Sequence, residues 1–300
     1  MLGLFTYSEI CQSLLCIADP QEMNRYGYTS KGLRLGLQAR AQQLQPNLPL
    51  WDTEATVLVA SSRIENLLRD LFTGHSDLND LTQNAAIERS SSSEERMLKL
   101  GSLRQALNLM QNLDANLHEI FNASISCIFT SGSHSAGGGT SSATPGVIWA
   151  NLRNHWSTWD TLEFLVHELT HNLMFFDEFS ALHYHSHDAL INPETFTQSA
   201  ILKRRRPLDK VLHSIAVGIA ILNLRANTVF QQPGLNQPLK LTTGIHPDSV
   251  SLVRQLQASV NSIFENRAAM NLLSTRGLEL LEKSKKRIDE FASITFSLVI

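Results

Sequence analysis

His167, Glu168 and His171, within "FLVHELTHNLMFFDE" (Phe164–Glu178), are residues of the right type and spacing to hold a metal ion. On an α-helix, side chains four apart leave the same face, so both imidazoles can aim a nitrogen at one divalent cation. Glu168 stands one position further round, beside the coordination positions the pair leaves open. In a peptidase that carboxylate takes the proton of a metal-bound water while the ion polarises the scissile carbonyl. Which metal is held, and for which reaction, depends on the third ligand.

The two common zinc-peptidase solutions for that ligand are missing. No glycine follows His171, so the HExxHxxGxxH pattern is broken, and no Glu-bearing helix motif comes later. Asp177 and Glu178 are too near in sequence if the helix continues, since Glu178 then stands about 10 Å along the axis from His171. Three candidates lie further on. The "HYHSH" stretch with His183, His185 and His187 reads as a solvated His-rich turn, as does His134 in its own loop. Glu194, in "NPETF", offers a carboxylate in the peptidase manner. His213 lies in an almost wholly apolar helix, where an unpartnered ring is costly; a backbone carbonyl or a metal would satisfy it.

The elements that must position these groups can be read from periodicity and punctuation. Asp160 and Glu163 form a capping box ahead of the apolar run that carries His167 and His171. Before it, "SISCIFT" and "GVIWANL" are strand-like and flank "SGSHSAGGGTSSATPG", which predicts a hairpin with a mobile tip. "GVIWANL" is then either an edge that an extended peptide can join by strand addition or an ordinary cover for the core. Pro207 opens an apolar helix through Leu224 at a position where its missing N–H costs nothing. The first 120 or so residues recur at helical spacing, interrupted by the Ser-rich "TGHSDLNDLTQNAAIERSSSSEERM", and the C-terminal part reads as two amphipathic helices. The expected fold is α+β, mainly α: a helical domain with a small antiparallel sheet or hairpin beside a zincin-like HExxH helix. Its expected segments are 1–120, 121–230 and 231–300.

Composition limits the partners. With 300 residues, 43% hydrophobic and a net charge of −3, the chain is long enough for a sizeable core and too evenly charged for a general polyanion binder. Cys11, Cys16 and Cys127 form neither a CxxC pair nor an even set, which points to a reducing, cytoplasmic setting. No segment has the ~20 uninterrupted apolar residues of a membrane span. A nucleic-acid or membrane partner is therefore not expected.

The motif helix, succeeded some forty residues later by Arg206, Pro207, Leu208, Leu212 and His213, resembles the 2-oxoglutarate-dependent HExxH peptide β-hydroxylases that act on ribosomally made, modified peptides. The resemblance spans about Gly146 to Arg225, with Ser199 near the start of the second segment. Ala200, Leu202 and Arg204 stand where that family tends to have Pro, Arg and Asp. It implies a non-haem Fe(II) site of His167, His171 and His213, with open positions for a bidentate 2-oxo acid and dioxygen. It also implies a fixed cation for the co-substrate's distal carboxylate, for which Arg206, Arg204 and Arg225 are the candidates. Glu168 would then sit beside the iron rather than act as a hydrolytic base. The alternative that the residues leave open is a zinc metallopeptidase with Glu168 as general base and Glu178 or Glu194 as third ligand.

Overall fold

Residues 3–72, 87–231 and 244–297 are described by a computed structural model of the protein, in which the chain divides into two units. One comprises residues 8–180; the other comprises 181–300 together with the first seven. The division falls inside the segment expected at 121–230, because the N-terminal helices are not a separate body: they pack on the sheet and on the motif helix. Among the described residues the chain is mainly helical with a small sheet, and no helix is long and apolar enough to cross a membrane.

The 8–180 unit begins with helices α1 (Tyr7–Ile17), α2 (Pro20–Tyr26) and α3 (Ser30–Leu44). The spacing in "TEATVLVASSRIENLLRDLF" predicts one helix throughout, but its β-branched start pairs as strand β1 (Val57–Leu58), and only Ser62–Phe72 winds into α4. Most of the expected Ser-rich loop lies outside the described residues. After it come β2 (Arg89–Ser90), α5 (Ser93–Leu113) and α6 (Ala115–Ser124), and Ser92 caps α5 by accepting from the Glu95 N–H.

Strands β3 (Cys127–Gly132) and β5 (Val147–Ala150) are the two predicted strand runs, but they pair in parallel rather than as a hairpin. The Gly-rich segment between them supplies a strand of its own, β4 (Gly138–Thr140), antiparallel to β5. The order is β1-β3-β5-β4, with β2 added antiparallel to β3. "GVIWANL" is thus an interior strand and β4 is the edge. Both β3 and β5 are fully buried, as strands covered on both faces must be. Cys127, Phe129, Val147 and Trp149 face a core closed by Val59, Leu68 and Ile87, and residues of opposite parity face the other way. Helix α7 (Thr158–Ser180) packs on β4, on α5 and on α6.

Among its described residues the other unit holds a two-strand ribbon, β6 (Thr197–Gln198) with β7 (Arg205–Arg206), and the α-helices α8 (Leu208–Gln231), α9 (Ser249–Phe264), α10 (Arg267–Leu272) and α11 (Thr275–Ser297). Pro207 immediately precedes α8 as expected, its carbonyl accepting from the Val211 N–H at 3.1 Å. The first expected C-terminal helix is divided at Asn266, whose side chain accepts from the Ala268 and Ala269 N–H groups and restarts the chain as α10.

Candidate metal and co-substrate residues

Helix α7 starts three residues earlier than its sequence implies. Ser157, not Asp160, is the cap: its hydroxyl accepts from the Asp160 N–H at 3.1 Å, and the Asp160 carboxylate accepts from the Ser157 N–H at 2.8 Å. Downstream the helix is unbroken to Ser180. Asp177 and Glu178 therefore do not turn back toward His171.

Most of α7 is buried on every side, with Leu162, Phe164, Leu165, Val166, Leu169, Leu173 and Met174 in the core. His167, His171, Phe175 and Glu178 form a half-buried stripe along one face. On it the two imidazole Nε2 atoms approach to 3.1 Å. With metal–nitrogen bonds of about 2.0–2.1 Å, nitrogens that far apart subtend roughly 95–102° at a shared ion, between octahedral and tetrahedral values. The same approach suits one ring N–H donating to the other ring nitrogen, a proton that a divalent ion would replace. Glu168 is 4% exposed, burial alone pushes its carboxyl up to about 8, and Oε2 has no hydrogen-bond partner. The two converging imidazole nitrogens are donors that fit a dication, and the Glu168 carboxyl is buried on the adjoining residue. Among the described residues, no group of three or more His, Cys, Asp or Glu side chains is gathered to hold a metal.

Asn172, next to the motif, ties α7 to the edge of the sheet. Its Nδ2 donates to Thr140 Oγ1 at 2.8 Å and to the Glu168 carbonyl at 3.0 Å, while its Oδ1 accepts from the Gly146 N–H at 2.7 Å. Gly138, at φ 152°, lies so close that a Cβ there would stand 2.5 Å from the Phe164 ring and from the Trp149 carbonyl. The tip of the segment is held firmly, contrary to the expected mobile loop. Asn151 Nδ2 donates to the carbonyls of Ser133 and Ala136, and the Arg153 guanidinium donates to those of Ser133, His134 and Ala136. His134 itself is exposed, as expected. Because Gly137 turns its carbonyl to the Asn151 N–H, antiparallel alternation turns the backbone groups of Gly138 and Thr140 away from β5.

In the other unit, the β6–β7 ribbon sorts the arginines. Its turn contains Lys203 at φ 53°, and strand alternation sends Arg205 outward, to the Phe196 carbonyl, and Arg206 inward, 7% exposed. Arg204 sits exposed at the turn. His213 is buried in the second turn of α8, and its pKa is held well below the ordinary imidazole value by burial first, then by Lys210, His183 and Arg206. Burial therefore favours the neutral imidazole. His183 is fully buried in this group, which corrects the reading of "HYHSH" as wholly solvated; only His185 and His187 fit that description. The backbone explains it: the His183 carbonyl accepts from Ser274 N–H, the His185 N–H donates to Leu272, and Gly277 leaves room for the His183 carbonyl, which a Cβ would meet at 2.3 Å.

Arg225 does not join this group. Twelve residues along α8 place it about 18 Å from His213, and its Nη1 donates to the Pro247 carbonyl at 2.8 Å and to Ser249 Oγ at 3.3 Å. It anchors the start of α9 instead. Glu194 lies exposed in a short 3-10 turn, unlike a ligand of a buried ion. The structure thus brings His167 and His171 together on α7, with Glu168 buried beside them in sequence, and His213, Arg206, His183 and Lys210 together around α8. Sequence reasoning missed Asn172 and His183. The first was legible only as a polar residue on the apolar side of α7, the second only as an alternation of His and Tyr. No family model matches the chain, and no curated protein matches it either.

Proposed function

We propose that the protein is a non-haem Fe(II)- and 2-oxoglutarate-dependent oxygenase that hydroxylates a peptide at carbon, with His167 and His171 as metal ligands. The observation that carries this reading is the burial of Arg206 together with a neutral His213, the two positions that the sequence resemblance assigns to the co-substrate and to the third ligand. The peptidase alternative is weakened because both of its third-ligand candidates are poorly placed: Glu178 by the continuous helix, Glu194 by exposure.

Bound iron with 2-oxoglutarate would supply dioxygen activation and insertion of one oxygen atom into a C–H bond, with succinate and carbon dioxide as co-products. His167 and His171 would hold the ion through their Nε2 atoms, which lie 3.1 Å apart. Arg206 supplies a fixed, planar cation that pairs with a carboxylate through two parallel hydrogen bonds and is already desolvated. Glu168, buried on the next residue, would not reach out as a base. The outward backbone groups of Gly138 and Thr140 offer an extended peptide a strand to pair with, in place of the role expected of "GVIWANL".

The test is anaerobic reconstitution with Fe(II) and 2-oxoglutarate, recording the visible charge-transfer band, then admission of oxygen and assay of succinate. A band that needs both additions, and that His213→Ala abolishes while Glu194→Ala keeps, supports the oxygenase. Tightly held zinc, no band, and Glu168-dependent cleavage of a peptide library would establish the peptidase instead.

A further inference from the structure

In the 181–300 unit, the turn of the β6–β7 ribbon gathers positive charge. Five of the chain's 25 lysines and arginines fall within residues 203–210, against a single acid, Asp209, which Lys210 meets at 3.2 Å; the chain as a whole carries a net charge of −3. Lys203, Arg204 and Arg205 are all exposed, and among the described residues neither Lys203 nor Arg205 forms an ion pair. The turn is held in place by its backbone. Ser199 N–H donates to the Arg204 carbonyl at 2.9 Å, Lys203 N–H to the Ser199 carbonyl at 3.0 Å, and Gln198 N–H to Ser262 Oγ on α9 at 2.9 Å.

Lys203 is the one non-glycine residue at positive φ among the described residues, at 53°. A Cβ is disfavoured in that left-handed region, and glycine would relieve the strain. A long cation kept at an exposed position that glycine would suit better points to a use other than folding, since such strain concentrates where ligands are clamped. The size of the patch limits what it can hold. Three consecutive residues extend over only about 7 Å, the span of a few peptide residues. An extended polyanion, such as duplex nucleic acid or an anionic bilayer, would meet the net negative charge of the rest of the chain.

We infer that this turn docks an acidic segment of the substrate peptide, whose carboxylates meet Lys203 and the outward-facing Arg205. The inference rests on the reading of the substrate as a peptide and adds its charge. The probe is fluorescein-labelled hexaglutamate, with hexaglutamine as its control, titrated with the full chain at low ionic strength and followed by fluorescence anisotropy, without iron, 2-oxoglutarate or oxygen. Hexaglutamate should bind and hexaglutamine should not, and salt at about 0.5 M should abolish the binding. Lys203→Gly should weaken it roughly threefold and Lys203→Glu roughly tenfold, as for the loss and the reversal of one exposed charge contact, while Lys203→Arg should retain it. The thermal midpoint of Lys203→Gly should stay level or rise, which separates lost affinity from lost folding. Affinity indifferent to Lys203, hexaglutamine bound as tightly as hexaglutamate, or tighter capture through Lys203 by duplex DNA or phosphatidylglycerol vesicles would overturn the inference. Because the titration needs no turnover, Lys203-dependent binding without succinate formation would overturn the oxygenase and leave the docking surface standing; succinate formation without such binding would do the reverse.

Discussion

Gly138 is where the edge strand meets the motif helix, and Gly138→Ala tests whether that contact is as tight as described. The new Cβ would stand 2.5 Å from Phe164 Cε2 and Cζ and 2.5 Å from the Trp149 carbonyl oxygen, against the 3.4–4 Å of ordinary contact. Phe164 is buried, so its ring has little space to retreat. Overpacking of this kind costs about 1–3 kcal/mol, and holding alanine at a φ of 152° adds about 1–3 kcal/mol more. The sum, about 2–6 kcal/mol, corresponds to a fall in thermal midpoint of roughly 5–20 °C for a unit of this size. Thermal and urea unfolding monitored by circular dichroism would measure it. Adding Phe164→Leu should recover only part of the loss, because the Trp149 carbonyl remains in the way. A change below about 0.5 kcal/mol in the single variant would refute the reasoning, since it would mean that β4 is not fixed against α7.

Three further outcomes are expected. Asn172→Ala removes three hydrogen bonds and leaves the Gly146 N–H buried without its acceptor, so it should cost about 2–4 kcal/mol in urea unfolding, with Asn172→Asp intermediate. Arg96→Met strands the wholly buried Glu65 carboxylate, which it meets at 2.5 Å, and should cost about 3–5 kcal/mol; the double variant with Glu65→Gln should lose less than the single one. Arg89 and then Lys99 hold the Glu95 carboxyl down at about 2 from an ordinary 4.5, so its contribution to stability is complete above pH 4.5 and is lost as pH falls toward 2. Glu95→Gln should lower stability at neutral pH, flatten the curve across that acid window, and converge with the wild type as pH approaches 2.

The helices that carry the proposed chemistry were legible because each has one strong signal. The apolar run around His167 and His171 survives a three-residue error in its cap, and Pro207 marks the start of α8 without ambiguity. The sheet was not legible. Two β-branched runs separated by a Gly- and Ser-rich stretch look identical whether they pair as a hairpin or in parallel. The outcome depends on whether the intervening residues fold back as a strand, and Gly138 and Gly139 give that strand almost no side-chain signature. Burial of His183 was equally hidden, because it is imposed by Gly277 and Ser274, some ninety residues away. Among the arginines, inward or outward direction came from a two-residue ribbon too short to be recognised from periodicity.

The interior position of β5 has a consequence for how the 8–180 unit opens. Since β4 joins only the outer side of β5, β4 can peel away once its contacts with Phe164 and Asn172 break, while the β1-β3-β5 ladder stays intact. Amide protons in the peeling strand should then exchange with solvent through a local excursion well below the global unfolding free energy, whereas those of Ile128 and Phe129 should exchange only when the whole unit unfolds. A partner strand seated on Gly138 and Thr140 would close that excursion, so occupancy of the edge would be read as slowed exchange within β4 itself.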